Sequence, residues 1–190
     1  MSDEKQLIEI LKGSPRLMHV LHVARDLKLP DWMIFSGAIY QTAWNVLAQR
    51  DYDYGIKDFD LAYFDPDTSW KAEDDVIRWV RDTFAAPLDE MVEVRNQARV
   101  HLWFEQRFGE AYEPLARSAD ALTRFVSPAF AVGARLKDDG DLIVIAPFGL
   151  KDLFDRVVRP NPWRPRSAGF DRAAASAKAR WPEITVEAGD

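Results

Sequence analysis

The stretch KDFDLAYFD at 57–65 constrains the chain more tightly than any other. Its alternation predicts a β-strand over 58–64, with Phe59, Leu61 and Tyr63 on one face and Asp58, Asp60, Ala62 and Phe64 on the other. Asp is a poor strand former. Two of them at i and i+2 share one face of the pleat, where like charges hinder each other's ionisation unless a cation stands between them. The pair is therefore either a charged strand edge that deters aggregation or a cation site.

The flanking pattern makes that strand one element of a larger set. A short helix is predicted over 4–12. Ser14-Pro15, a capping residue followed by proline at the first helical position, opens a second helix that runs to about Leu27. Trp32 to Phe35 reads as a buried strand, Ser36-Gly37 as a turn, and Ala38 to Gln49 as a helix. After the Asp-x-Asp strand, Thr68 or Ser69 caps a helix over 70–84 with Trp70, Val76, Ile77 and Val80 as its apolar stripe. Met91 to Arg95 is a strand with Val92 and Val94 on one face and Glu93 on the other. Residues 97–108 read as helical, with a short helix near 118–124. Runs at 130–136 and 142–146 flank KDDGD, a hairpin signal. A helix near 149–157, the Pro-rich segment RPNPWRPR at 159–166 and a helix over 170–180 follow. Helices alternating with strands, with one late hairpin, predict an α+β (α/β-like) domain: a mixed β-sheet flanked by helices.

A chain of 190 residues suits one domain. We expect a body over 1–155 and, over 156–190, a basic Pro-rich arm and C-terminal helix packed on it. The absence of cysteine excludes disulfides and thiolate chemistry. The charged N-terminus does not read as a signal peptide. The longest apolar run, LIVIAPFGL at 142–150, is too short to span a bilayer, which needs about 20 residues. A cytoplasmic protein without membrane contact is the expectation. The net charge of −6 disfavours broad nucleic-acid binding. It also hides an asymmetry. Residues 156–180 carry seven basic side chains against Asp171 alone, a local +6 that leaves −12 elsewhere. If that segment borders a functional cleft, Arg159 and Arg164 are positioned to meet phosphate; otherwise they pair with the acidic surface.

The order strand, Ser-Gly turn, helix, Asp-x-Asp strand, then a strand bearing Glu93 has a coherent chemistry. Backbone N–H groups at a Gly turn that opens a helix bind phosphate oxygens. Two Asp side chains on one strand face converge on a space that divalent cations can fill, and a third carboxylate from a later strand can complete the set.

On these residues the chain resembles the nucleotidyltransferase superfamily typified by DNA polymerase beta and the CCA-adding enzymes. FSGA at 35–38 stands at the turn, DFDL at 58–61 at the paired acids, and VEVR at 92–95 at the third carboxylate. Residues 30–165 look closer still to a bacterial branch of that superfamily, through segments such as SGAIYQTAWN, GIKDFDLAYFD, RNQARVHLWF, APFGLKDLF and VRPNP. The resemblance implies a Mg²⁺- (or Mn²⁺-) dependent transfer of a nucleoside monophosphate from a nucleoside triphosphate to an acceptor hydroxyl that the resemblance does not specify. It implies Asp58, Asp60 and Glu93 as metal-holding catalytic carboxylates. Ser36, Gly37 and Ala38 would be phosphate donors. From position and charge rather than from the resemblance, Asn96 at the strand end is a candidate nucleotide contact and Arg159 a candidate phosphate contact. The turn departs from the usual Gly-Ser or Gly-Gly, so Ala38 offers an N–H but no hydroxyl. A non-catalytic nucleotide- or partner-binding regulatory module on the same fold is the alternative.

The plainer readings stand beside these. Glu93 can be an ion-pair partner of Arg95 or Arg99, and Asn96 and Gln97 can tie down the strand end. His19 and His22 lack a third ligand and read as helix-surface residues. His101 reads as a packed histidine, Trp44, Trp79 and Trp103 as core, and Asp65 as a turn or cap residue.

Overall fold

A computed structural model of the chain describes residues 1–188, so the final two positions of the 156–190 segment lie outside the described residues. The elements run α1 (Asp3–Lys12), α2 (Pro15–Asp26), β1 (Met33–Phe35), α3 (Gly37–Leu47), β2 (Phe59–Tyr63), α4 (Trp70–Thr83), α5 (Leu88–Met91) and β3 (Val92–Asn96). Then come a 3₁₀ helix (Gln97–Leu102), α6 (Phe104–Phe108), a second 3₁₀ helix (Ser118–Arg124), β4 (Gly133–Leu136), β5 (Leu142–Ile145), α7 (Lys151–Asp155), β6 (Val157–Val158), α8 (Ala168–Arg180) and β7 (Thr185–Val186).

Five strands form one mixed sheet in the order β3-β2-β1-β4-β5. Only β2 and β3 run parallel; the other pairings are antiparallel, including the late hairpin β4–β5. Strand alternation divides the sheet into two unlike faces. Ile34, Phe59, Leu61, Val92 and Val94 belong to the large core, with α1, α2 and α3 packed against it. Met33 and Ala62 point the other way, into a small cluster with Leu122 and Ala131. The second face is thus only partly covered, and it is the face that carries Asp60.

Local chemistry accounts for the helix starts. Ser14 Oγ accepts the Leu17 N–H and Pro15 follows it; Ser69 Oγ accepts the Ala72 N–H. Each such cap stabilises its helix by about 1 kcal/mol. The C-terminal segment contributes to the main core through Phe170, Ala174, Ala177, Trp181 and Ile184. Trp181 donates its indole N–H to Asn45 Oδ1 at 2.9 Å, and Trp44 donates to Leu153 O at 2.9 Å, so both buried indoles are satisfied. Among the described residues no helix is long and apolar enough to cross a membrane.

Five expectations need correcting. Trp70 and Trp79, placed in the core by the sequence pattern, are 72% and 48% exposed, and Trp103, also placed there, is only partly buried and lies outside the core clusters. The face of α4 that turns inward instead includes Glu73, which pairs with Arg99 at 2.9 Å. Residues 97–108 are not one helix: Asn96 Oδ1 caps Ala98 and starts a 3₁₀ turn, and Trp103 leaves helical geometry with φ −130° before α6 begins. The helix near 149–157 stops at Asp155, where Arg156 turns left-handed at φ 56° and releases β6 to pair in parallel with β7.

Candidate active site

Three residues stand in a row across three strands. Phe35 of β1 pairs with Asp60 of β2, and Asp60 pairs in parallel register with Glu93 of β3. Directly paired residues share a sheet face, so Asp60 and Glu93 project together on the partly covered side. The turn that follows Phe35 brings in the next element. Gly37 and Ala38 open α3, and their N–H groups have no acceptor among the described residues. Asp58 comes one residue before β2, and its Oδ1 lies 3.8 Å from where a Cβ on Gly37 would stand.

Ser36 has the backbone conformation φ 59°, ψ −117°, which an L-residue rarely adopts. Its N–H donates to Val132 O at 2.8 Å, and its carbonyl accepts the N–H groups of Ile39 and Tyr40. Its hydroxyl makes no capping hydrogen bond to the helix. The strained turn aims the start of α3 back at the acids.

The electrostatics are those of crowded acids that nearby basic groups offset only in part. Burial, reinforced by the charges of Asp58 and Glu93, pushes the Asp60 carboxyl up to about 7, against a lesser pull from Arg95. Burial and Glu93 also raise Asp58, opposed by Lys57 and Arg180. Among the described residues, none of the three carboxylates has an ion-pair partner. Nor do three His, Cys, Asp or Glu groups form a preassembled metal shell among them. Three hard oxygen donors, one of them a carboxyl that burial and repulsion raise, suit a cation that displaces the proton and takes its remaining ligands from substrate phosphates.

The structure brings Ser36, Gly37, Ala38, Asp58, Asp60 and Glu93 to one region. It does not bring Asn96 or Arg159 there. The Asn96 side chain is buried and engaged at both ends: Oδ1 accepts the N–H groups of Asp65 and Ala98, both at 3.0 Å, and Nδ2 donates to Asp65 O at 2.9 Å and Asp67 O at 3.3 Å. It has no capacity left for a nucleotide and acts as a strut between β3 and the 65–69 loop. Arg159 pairs with Asp152 at 2.9 Å and Glu187 at 3.6 Å, beside Pro160, and does not border the acids. Asp65 Oδ1 accepts the Asp67 N–H, the turn role its position suggests.

Sequence reasoning missed the walls of the site. A cleft of about 420 Å³ opens beside Asp60 and Glu93. Trp103, Phe104, Phe108, Tyr112 and Phe125 give it an aromatic wall, and Arg95, Arg107, Arg124 and Arg164 add positive charge. The alternation of aromatic and basic residues through 95–124 was the available signal. Arg180, at the end of α8, was missed as well. It donates to Gly55 O at 3.1 Å and Gln41 Oε1 at 3.3 Å, and Gln41 Nε2 in turn stands 3.1 Å from the Cβ position of Gly37.

A family model described as nucleotidyltransferase matches residues 22–186. Among solved structures, an NMR structure described as revealing a CCA-adding enzyme head domain superposes with a TM-score of 0.78 at 24% identity, over 97% of this chain and 96% of that one. The complex of a CCA-adding enzyme with CTP gives a TM-score of 0.56 at 13% identity, over 98% of this chain but 43% of that one. Both are likenesses of fold. No curated protein matches the chain. With the family match extending over most of its length, from α2 through β7, the chain belongs to the nucleotidyltransferase family.

Proposed function

We propose that the chain transfers a nucleoside monophosphate from a nucleoside triphosphate to an acceptor hydroxyl, releasing pyrophosphate, with Mg²⁺ or Mn²⁺ held by Asp58, Asp60 and Glu93. The observation that carries this reading is the acid row beside the start of α3, which has no ion-pair partner among the described residues and in which Asp60 is raised to about 7. Family membership and the general use of divalent metals on this fold support it. Hard carboxylate oxygens match Mg²⁺, which binds through one or two carboxylates together with substrate phosphates.

When bound, the cation neutralises charge on the phosphoryl group being transferred. The chain's own groups do the rest. The free N–H donors of Gly37 and Ala38, with the Ser36 hydroxyl, take oxygens of the β- and γ-phosphates at the positive end of α3. Glu93 accepts the proton of the acceptor hydroxyl as that oxygen bonds to the α-phosphorus. The bond from α-phosphorus to the bridging oxygen breaks in line, and pyrophosphate leaves with the electron pair.

The test is incubation with each labelled nucleoside triphosphate, Mg²⁺ or Mn²⁺ and a cell lysate, comparing wild type with Asp60→Asn. The expected result is a labelled product that is lost in the variant. Label transfer of equal size in both proteins would overturn the assignment of Asp60. No transfer with any nucleotide, together with no nucleotide-dependent rise in Tm, would overturn the reading itself.

A further inference from the structure

We propose that the cleft beside Glu93 is the acceptor site, and that the acceptor it fits is a nucleoside monophosphate: a base stacked on the aromatic wall with its phosphate between Arg107 and Arg124. The proposal rests on the transfer reading above and adds the acceptor's chemical class to it.

Position comes first. The cleft is bordered by Asp60 and Glu93 but not by Asp58, Gly37 or Ala38. The cleft therefore adjoins the Asp60 and Glu93 end of the acid row, and the Gly37 end, where Asp58 stands, is outside its lining. In-line displacement needs the leaving group and the nucleophile on opposite sides of the phosphorus. With the triphosphate at the start of α3, the cleft is the remaining approach for the hydroxyl, and Glu93 stands at its mouth.

The walls then limit what can enter. Phe104 lies 4.5 Å from Tyr112 and 4.7 Å from Phe108, centroid to centroid, with the rings tilted rather than locked face to face. Such a tier offers ring surface to a planar ligand, and base stacking on aromatic side chains is sequence-tolerant and favourable. The arginines are of two kinds. Arg164 is committed: it pairs with Glu110 and donates to Arg124 O at 2.6 Å. Arg107 and Arg124 have no carboxylate partner among the described residues. Their guanidinium groups lie over Phe108 at 5.4 Å and over Tyr112 at 5.9 Å. Two unpaired guanidinium forks beside stacked rings suit a planar ring that carries a dianion. A ligand must also present a hydroxyl to Glu93, and the ribose of a nucleoside monophosphate supplies one. The volume of about 420 Å³ is within the range of small-ligand sites. A net charge of −6 disfavours a long polyanion.

The experiment is equilibrium dialysis of labelled 5′-AMP against the protein with Mg²⁺ and saturating α,β-methylene-ATP, which occupies the triphosphate site and cannot transfer. AMP is expected to bind alongside the analogue, with adenosine and inorganic phosphate each weaker by about tenfold or more. Arg107→Ala and Arg124→Ala, both at exposed positions, are expected to lose about ten- to a hundredfold in AMP affinity, the range for a hydrogen bond to a charged group. Tyr112→Ala should weaken binding and Tyr112→Phe restore it. The remote Arg81→Ala should match wild type. Undiminished AMP binding in both arginine variants would overturn the proposal. So would displacement of AMP by the analogue, or a single-stranded oligonucleotide binding more tightly than AMP through the same arginines. AMP bound as described but no label transferred by wild type would uphold the cleft and remove the transfer reading; transfer to another acceptor without AMP binding would remove the cleft proposal alone.

Discussion

Asp60 and Glu93 are directly paired across a parallel junction of the main sheet, so two carboxylates of neighbouring strands share one face, and among the described residues neither has an ion-pair partner. The consequence is measurable as a pH dependence. The Asp60 carboxyl is raised to about 7 from an ordinary 3.8. Between those values the folded protein holds a proton that the unfolded chain has released. The contribution of this one group to stability is therefore greatest below about pH 4 and is lost as pH rises through about 7. A cation that binds the ionised carboxylate competes with the proton and reverses the trend. The Tm increase caused by Mg²⁺ with nucleotide should grow between about pH 5.5 and pH 8 in wild type and stay flat in Asp60→Asn. An equal increase at both pH values in wild type would locate the metal away from Asp60.

Ser36 supports a second prediction, one that separates stability from binding. At φ 59° and ψ −117° it occupies a region suited to glycine. Ser36→Gly should stabilise the protein by about 1–2 kcal/mol in urea unfolding through relief of that strain. Ser36→Ala keeps the strain and removes only the hydroxyl. It should leave the urea midpoint near wild type while weakening triphosphate binding by about 0.5–1.5 kcal/mol, the net value of one hydrogen bond. If Ser36→Ala binds triphosphate as tightly as wild type, the hydroxyl has no part in the phosphate grip.

The acid row could be read from sequence because strand periodicity is strict: a period of two puts Asp58 and Asp60 on one face and separates Glu93 from Val92 and Val94. The turn was legible because a glycine between an apolar run and a helical pattern has few other uses. What stayed hidden depended on distant partners. The pattern of α4 suggested Trp70 as a core residue, but the helix turns Glu73 inward because Arg99, on the segment after β3, is there to neutralise it. Trp70 is left outside with the Arg99 guanidinium 5.3 Å from its ring. The cleft wall was hidden for another reason: residues 97–125 fold as short 3₁₀ turns, one brief helix and loop, which carry no period to read.

The Glu73–Arg99 pair yields a third prediction. Both side chains are buried, at 6% and 8% exposure, and Glu73 also accepts the Asn96 N–H at 3.0 Å while Arg99 donates to Ser69 O at 3.2 Å. Removing one partner strands a buried charge, which costs about 3–5 kcal/mol. Glu73→Ala and Arg99→Ala should each lower stability by that order in urea unfolding. The double variant should be less destabilised than the sum of the two. Additive losses would mean that the ion pair is not the coupling between α4 and the end of β3.

The last prediction concerns which part of the basic C-terminal segment reaches the site. Arg159 was the residue the sequence suggested, but its guanidinium is taken up by Asp152 and Glu187. Arg180 is closer to the chemistry. Trp181 underlies its guanidinium at 4.6 Å, and Gln41 and Gly55 accept its hydrogen bonds. Its charge opposes the rise in the Asp58 carboxyl. Gln41 connects it to Gly37, where the N–H donors of α3 begin. Without Arg180, Asp58 should protonate more readily and Gln41 should lose the group that orients it. Arg180→Ala should therefore weaken binding of Mg²⁺ with nucleoside triphosphate several-fold, since the charge that opposes the rise in Asp58 is gone. Arg159→Ala should leave that affinity unchanged at matched ionic strength, since it removes a half-exposed ion pair worth about 0–1 kcal/mol. Titration calorimetry on the two variants distinguishes them. A loss in Arg159→Ala that Arg180→Ala does not share would reverse the assignment and return the phosphate contact to the Pro-rich arm.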